Sequence, residues 1–414
     1  MASAAQPAGS MRSVLAQPDF RKLWLAQFVS IFGDFLALFG VISLITFRWH
    51  GTAVQVTSML MSYFLPFALV GPLAGVFVDR WNVKRVMITS DLVRGILVLL
   101  LVVVTDVHQI YAIFATLGVF GSFFQPAQSV TVRTLVSKEK LLAANAMMSQ
   151  AFYTVRLASP VLAGALIAWL GENPCFYLDA VSFAFSALMV ATLVINPQRP
   201  SGKSVQGFLR EFTTGNRFIF THAQLAFIVT AMVVAMFVMS CFSPLISIYV
   251  RDLLHGGTFL YGLVSTMIGV GLIVGTQSLM RFAKQRSKKD IVVLGLLTLG
   301  FSTGLLGAFA NKGMAMLSLF CLGLGIAFVL VPAQTLMQQE TPHEMIGRVS
   351  SSFMSLISVA QVCGLLLSGY LAHVLGIRQL FVSSALALAL ITAIGYAKKG
   401  TAVPSSEVPV PSAE

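Results

Sequence analysis

Charge is what this chain has least of. Only 10% of its 414 residues are Asp, Glu, Lys or Arg, while 57% are hydrophobic and the mean hydropathy is +0.86; a soluble domain carries about 25% charged residues. So little charge excludes a water-solvated globule and points to an all-α polytopic membrane protein. Cysteine is also sparse. Cys175, Cys241, Cys321 and Cys363 fall inside or at the rim of apolar runs with no paired spacing, which reads as packing and not as disulfides or metal ligation. The histidines are scattered, and the chain contains no His-x-x-x-His pair and no Walker-type glycine loop. The expectation is therefore no metal, no cofactor, no enzyme activity and no ATP-driven motor. Met1 to Ser10 lacks the basic start and apolar core of a cleaved leader.

What the chain does have is long apolar runs. A bilayer core of about 30 Å needs about 20 residues at 1.5 Å each, and twelve segments reach that scale: Leu23–Phe47, Val54–Val78, Val86–Thr105, Gln109–Val136, Ala143–Leu170, Cys175–Ile195, Gln224–Val250, Phe259–Phe282, Ile291–Ala310, Gly313–Gln338, Met345–Leu375 and Gln379–Ala397. The expected organisation is a tail over 1–22, a six-helix half over 23–195, a connector over 196–222, a second six-helix half over 223–397 and a disordered tail over 398–414. The connector opens with Pro197, Pro200, Ser201 and Gly202. It then sets Phe208, Leu209, Phe212, Phe218 and Ile219 among Arg210, Glu211 and Arg217, the pattern of an amphipathic surface helix.

The halves repeat. Gly164-Ala165-Leu166-Ile167-Ala168-Trp169-Leu170-Gly171 aligns with Gly369-Tyr370-Leu371-Ala372-His373-Val374-Leu375-Gly376 at an offset of 205 residues, and Pro126-Ala127-Gln128 aligns with Pro332-Ala333-Gln334 at 206. Parallel six-helix repeats are the architecture of carriers that bind their substrate between the halves. The basic residues are also sorted. On this topology nearly all of them, from Arg12, Arg21 and Lys22 to Arg348, Lys398 and Lys399, fall on the face that holds both termini. The opposite face has Arg48, Arg251, Lys312 and Arg378. The net charge of +12 is then a sign of orientation, with both termini cytoplasmic, and not of nucleic-acid binding. A bacterial inner membrane is the expected setting.

The sharpest local feature is the short charged turn between the second and third spans: Gly75, Asp79, Arg80, Trp81, Asn82, Val83, Lys84 and Arg85. A glycine, an aspartate four residues on and then a basic cluster at this place resembles the loop motif of the major facilitator superfamily. Asn82 stands where that family usually has glycine, and Asn tolerates the left-handed backbone conformation. Four further passages resemble the drug:proton antiporter-3 branch: Phe20-Arg21-Lys22-Leu23-Trp24 running into Phe32-Gly33-Asp34, Gln125-Pro126-Ala127 followed by Ala144-Asn145-Ala146, Arg156 to Gly164, and Asp179-Ala180-Val181-Ser182-Phe183. The resemblance spans nearly the whole chain. It implies a transporter that works by alternating access. Asp79 is expected to anchor neighbouring helix ends through Arg133 or through the start of the eleventh span near Arg348.

Five charges lie within the spans: Asp34, Asp91, Arg94, Arg156 and Asp179. Each costs roughly 2.5–3.5 kcal/mol at the centre of a helix on insertion scales, so each is a functional candidate. Asp34 and Arg156 sit about 11 and about 13 residues into their spans, both near the midplane at a rise of 1.5 Å per residue, and are expected to meet. They form either a proton-coupling site, in which a mobile cation shifts the carboxyl, or a permanent salt bridge that fixes packing. Asp91 and Arg94, three apart on one helical face, read as a structural pair. Asp179, about one turn from the outer face, reads as capping or packing.

The second half carries no charge in its span interiors. Coupling is therefore expected in the first half and an apolar wall in the second. Candidate cavity residues are Phe123, Phe124, Gln125 and Gln128 facing Met232, Met236, Met239, Ser243, Gln334 and Met337, although packing alone also accounts for many Phe and Met positions. Such a cavity suits an amphipathic or lipophilic solute. The leading reading is a monomeric proton-antiporting exporter of such a molecule, in contact with membrane lipid. A lysophospholipid carrier or siderophore exporter of the same fold is the alternative, followed by a membrane sensor or a polytopic enzyme.

Overall fold

The computed structural model describes residues 11–78, 80–195, 205–282, 287–342 and 345–397. Asp79, the first part of the connector, the turn around Lys284 and the two tails lie outside the described residues, as does the side chain of Arg348. Among the described residues every regular element is helical. In chain order these are α1 (Met11–Leu15), α2 (Pro18–Ser43, continued by a π-helical turn over Leu44–Arg48), α3 (Ala53–Val78), α4 (Val83–Leu100), α5 (Val107–Leu135), α6 (Leu141–Leu170), α7 (Asn173–Ala191), α8 (Val205–Thr221), α9 (Ala223–Phe242), α10 (Leu245–Asp252), α11 (Thr258–Phe282), α12 (Lys288–Ala308), α13 (Lys312–Glu340), α14 (Ile346–Leu375) and α15 (Ile377–Ala397). Ten are long and apolar enough to cross a membrane. Helices α4 and α15 occupy the places of the third and twelfth spans; α4 misses that standard because Lys84, Arg85, Asp91 and Arg94 crowd into it.

Two local outcomes differ from the sequence expectation. The run Gln224–Val250 is not one helix: it breaks at Ser243-Pro244 into α9 and α10, because proline has no N–H to donate and its ring blocks the preceding turn. Asn82 is not left-handed either. It sits in extended backbone at ψ 106° and caps α4, its side-chain oxygen accepting the Arg85 N–H at 3.1 Å, the use for which Asn is favoured at helix starts.

The repeat is reproduced at the level of single hydrogen bonds. Helices α5 and α13 begin at 107 and 312 and end at 135 and 340, and α6 and α14 run 141–170 and 346–375, all offset by 205 residues. Asp106 and Asn311 cap α5 and α13 in the same way. After the first span of each half, His50 and His255 take positive φ (51° and 47°), and the following glycine closes the helix, Gly51 N–H to Ile45 O and Gly256 N–H to Val250 O. This is a Schellman-type ending, which needs one left-handed residue. The contacts α3·α5, α4·α5, α4·α7 and α2·α6 recur as α11·α13, α12·α13, α12·α15 and α9·α14.

The halves meet through α6 against α11 and α3 against α14. Glycines let the backbones close in: a Cβ added at Gly164 would lie 3.1 Å from Gly262 Cα, and one at Gly369 would lie 3.1 Å from Val54 Cα. All these residues lie toward the face opposite the termini. There the Thr46 and Ser247 hydroxyls approach to 3.1 Å, and Arg251 donates to Thr46 O and Gly51 O, both at 2.7 Å. The buried core shows the same asymmetry. One large cluster joins both halves on that side, whereas the cluster at the terminal face, from Val14, Phe20 and Leu23 to Val190 and Leu193, contains first-half residues only. The halves are shut at one face and part toward the other.

Candidate functional site

The first-half charges gather around Arg94. Its guanidinium lies 4.4 Å from the ring centres of both Phe124 and Phe183 and pairs with Asp91 at 2.5 Å. Cation–π contact of this kind stabilises a desolvated cation. Asp91 is 0% and Arg94 7% exposed. Ser186 faces the same carboxylate, and neither Ser186 Oγ nor Asp91 Oδ2 has another partner. The expected i, i+3 pair is thus present, and it is built into a larger group.

Asp34, midway along α2, is exposed. The charges acting on it are Arg94 and Asp91. Asp179 joins them: it is 1% exposed, accepts the Ser182 hydroxyl at 3.1 Å and lies within electrostatic reach of Asp34 and Arg94. The Tyr63 phenol of α3 also feels Asp34 and Arg94. Three carboxylates and one guanidinium from α2, α4 and α7 therefore share one region of the first half, with only Asp34 open to the gap.

Arg156 is not part of this group. The α2 residues that face α6 are Trp24, whose Nε1 donates to Met147 O at 3.1 Å, and Phe35, whose ring lies 5.9 Å from that of Phe152. Asp34 precedes Phe35 by one residue, about 100° around a helix of 3.6 residues per turn, and so turns away from α6. Equal depth did not imply contact. Arg156 is likewise exposed, and among the described residues it makes no ion pair and no hydrogen bond.

Around the charged turn, Arg80, Arg85 and Arg133 are exposed, and Gly75 has nothing within 4 Å of where a Cβ would stand. Lys84 is the residue that makes a tie: its Nζ donates to Leu193 O at 2.9 Å, joining the start of α4 to the end of α7. Of the proposed cavity residues, Gln125 and Ser243 are exposed, while Gln128, Met236 and Gln334 are half-buried. Phe124, Met232, Met239 and Met337 are buried, so they belong to packing. Phe123 stacks on Trp81 at 5.8 Å, beside the charged turn. Sequence reasoning did not find Tyr63, Phe183 or the Arg251 latch, and it placed Asp179 outside the site. The available signals for Asp179 were its charge in an apolar run and its place in a family-like passage, neither of which shows that it reaches Asp34.

The sequence profile described as the Major Facilitator Superfamily matches residues 23–357 and 228–414. The uncharacterized MFS-type transporter YfiS of Bacillus subtilis is 26% identical over 390 residues, which cover 92% of this chain and 93% of that protein. Macrolide efflux protein A of Streptococcus pyogenes is 24% identical over 374 residues, 88% of this chain and 92% of its own. The solved structure of the nucleoside transporter NupG shares the fold at a TM-score of 0.75 with 12% identity, over 92% of this chain and 99% of that one.

Proposed function

The chain belongs to the major facilitator superfamily, and from that premise we propose that it is a secondary-active exporter of amphipathic or lipophilic small molecules, driven by proton antiport. The observation that carries the coupling is the cluster of Asp34, Asp91 and Asp179 around the single Arg94, with Asp34 open to the gap. Like charges so close in a low-dielectric setting favour sharing of protons, which come and go as a property of the group. When the halves rock, Asp34 is the member that changes its access to water.

The bias of Lys and Arg supports a cytoplasmic terminal face, and the bacterial relatives support an inner-membrane setting. The gap then opens inward, the state in which an exporter releases its proton and takes up substrate, and the Arg251 latch holds the outer side shut. A monomer suffices for this cycle, since both halves come from one chain. A lysophospholipid carrier is the second reading. It is favoured by a groove of about 330 Å³ between α3 and α14, lined by Val54, Thr57, Leu366, Tyr370 and His373, which lies along the seam of the halves.

The test is uptake into inside-out vesicles under an imposed pH gradient, using panels of amphipathic cations, anions and neutral solutes beside a fluorescent lysophospholipid. Accumulation that collapses when the gradient is dissipated supports antiport. Accumulation indifferent to the gradient removes it.

A further inference from the structure

Arg156 stands in the gap without a counter-ion. It lies mid-way along α6, is exposed, and has no hydrogen-bond or ion-pair partner among the described residues; Tyr153, also exposed, is the neighbour that acts on it electrostatically. Its direction follows from the helix. Asn145, Ser149 and Arg156 are spaced by four and seven residues and so share one face, and all three are exposed. One and two turns further along that same face come Pro160 and Gly164, which press on Gly262 of α11 in the other half. The face that is closed by the second half at the outer side is therefore the face that stands open at Arg156. On one flank of that face Phe152 meets Phe35 of α2, and on the other Leu157 lies close to Gly269 of α11, so Arg156 points between the two helices and not toward lipid.

Among the described residues no ion pair neutralises it from across the gap. The span interiors of α9, α11, α12, α13, α14 and α15 contain no Asp or Glu, and the carboxylates within the first-half spans, Asp34, Asp91 and Asp179, are gathered around Arg94 on other elements. A central arginine is costly in a membrane and is kept where it has a task. A guanidinium presents a planar fork of donors that matches carboxylate and phosphate two bonds at a time.

We propose that Arg156 is the head-group site for the transported solute, and that this solute carries an anionic group, carboxylate or phosphate, on a lipophilic body. The anion pairs with Arg156, Asn145 and Ser149 line its path from the cytoplasmic side, and the apolar body lies against the uncharged second half. This assignment rests on the exporter reading and specifies its substrate class. It also divides the labour between two charges that do not meet: Asp34 handles the proton, Arg156 the cargo.

The experiment is equilibrium binding to the purified full-length chain in nanodiscs, with four probes of equal chain length: dodecyl phosphate, dodecanoate, dodecyltrimethylammonium and dodecyl maltoside. Charge-assisted pairing predicts that the two anions bind roughly 10- to 100-fold more tightly than the cation or the neutral probe. R156Q should erase that preference and R156K should restore part of it. Equal affinity for cation and anion, or an anion preference that survives R156Q, overturns the proposal. The wild-type comparison decides even if R156Q does not fold. Lauroyl lysophosphatidylglycerol, added as a fifth probe, separates the sources: tighter binding than dodecyl phosphate assigns a lipid head group, and weaker binding assigns a free amphiphilic acid. Binding needs no pH gradient, so antiport can fail in vesicles while the Arg156 site stands, and the reverse.

Discussion

The Asp179 carboxylate lies directly beneath Gly33, where α2 contributes no side chain to its contact with α7. A Cβ built on Gly33 would come within 2.9 Å of Asp179 Cα and would collide with the Asp179 and Ser182 side chains. The glycine one residue before Asp34 is thus what allows a second carboxylate to reach it. Gly33→Ala should push α7 away, destabilise the protein by about 1–3 kcal/mol as overpacked sites do, and weaken pH-driven transport. Thermal unfolding in detergent and vesicle uptake measure the two effects. An alanine variant with wild-type uptake would show that the proximity of Asp179 is incidental to coupling.

Asp34 is the only carboxylate of the group exposed to the gap. Asp34→Asn is therefore expected to abolish accumulation driven by a pH gradient while preserving substrate exchange, because exchange requires rocking without net proton movement. Loss of both activities with intact folding would assign Asp34 to substrate binding instead.

What the sequence disclosed and what it hid divide along physical lines. The spans were legible because bilayer thickness fixes a length, and the repeat was legible because short matches recurred at one offset; the capped ends at Asp106 and Asn311 and the paired turns at His50 and His255 follow that offset bond by bond. The rotation of each helix was not legible. Apolar residues surround these helices on all sides, so no amphipathic stripe tells that Asp34 lies within electrostatic reach of Arg94, or that Phe124 covers Arg94 in place of lining a cavity. Asp179 was undervalued for the same reason: its depth could be counted along α7, but the glycine that brings α2 onto it belongs to another helix. The break at Pro244 was readable, since proline was in view inside an apolar run.

The Asp91–Arg94 pair admits a separate test. Both side chains are buried, and removing one member of a buried pair leaves the other uncompensated at a cost of about 3–5 kcal/mol. Arg94→Gln should therefore lower thermal stability by that order and reduce the yield of inserted protein. The double variant D91N with R94Q should recover most of the stability, since no lone charge remains. If the double variant is stable and still transports in response to pH, the pair is structural and the proton resides on Asp34 and Asp179.

Asp106 offers a pH signature outside the membrane. The His108 backbone N–H, followed by its ring nitrogen, holds this exposed carboxyl below its ordinary value. A depressed folded-state pKa stabilises above the ordinary carboxyl range, and the contribution is lost as pH falls through the folded value. Wild type should accordingly melt above Asp106→Ala at neutral pH, and the gap should close in acid. A difference that persists undiminished below the carboxyl range would assign the effect to something other than ionised capping.

The outer latch should control which face is open. Arg251 donates two 2.7 Å bonds from the second half to the carbonyls of Thr46 and Gly51 in the first, and its Nε and Nη2 donate to Asp252. The Thr46 carbonyl belongs to the last helical turn, Leu44–Arg48, where a cation is favoured by the helix dipole, and Gly51 follows just after it. Beside them the Thr46–Ser247 contact is fully buried. Arg251→Ala removes bonds made only when the outer side is shut, so it shifts the population toward the outward-open state without touching either proton or cargo residues. The readout is labelling of Ser247→Cys by a membrane-impermeant maleimide added outside: slow in the otherwise wild-type chain, where residue 247 is buried, and faster when R251A is added. Equal labelling rates with and without R251A would mean that the glycine-lined contacts of α6 with α11 and α3 with α14 hold the outer side closed by themselves.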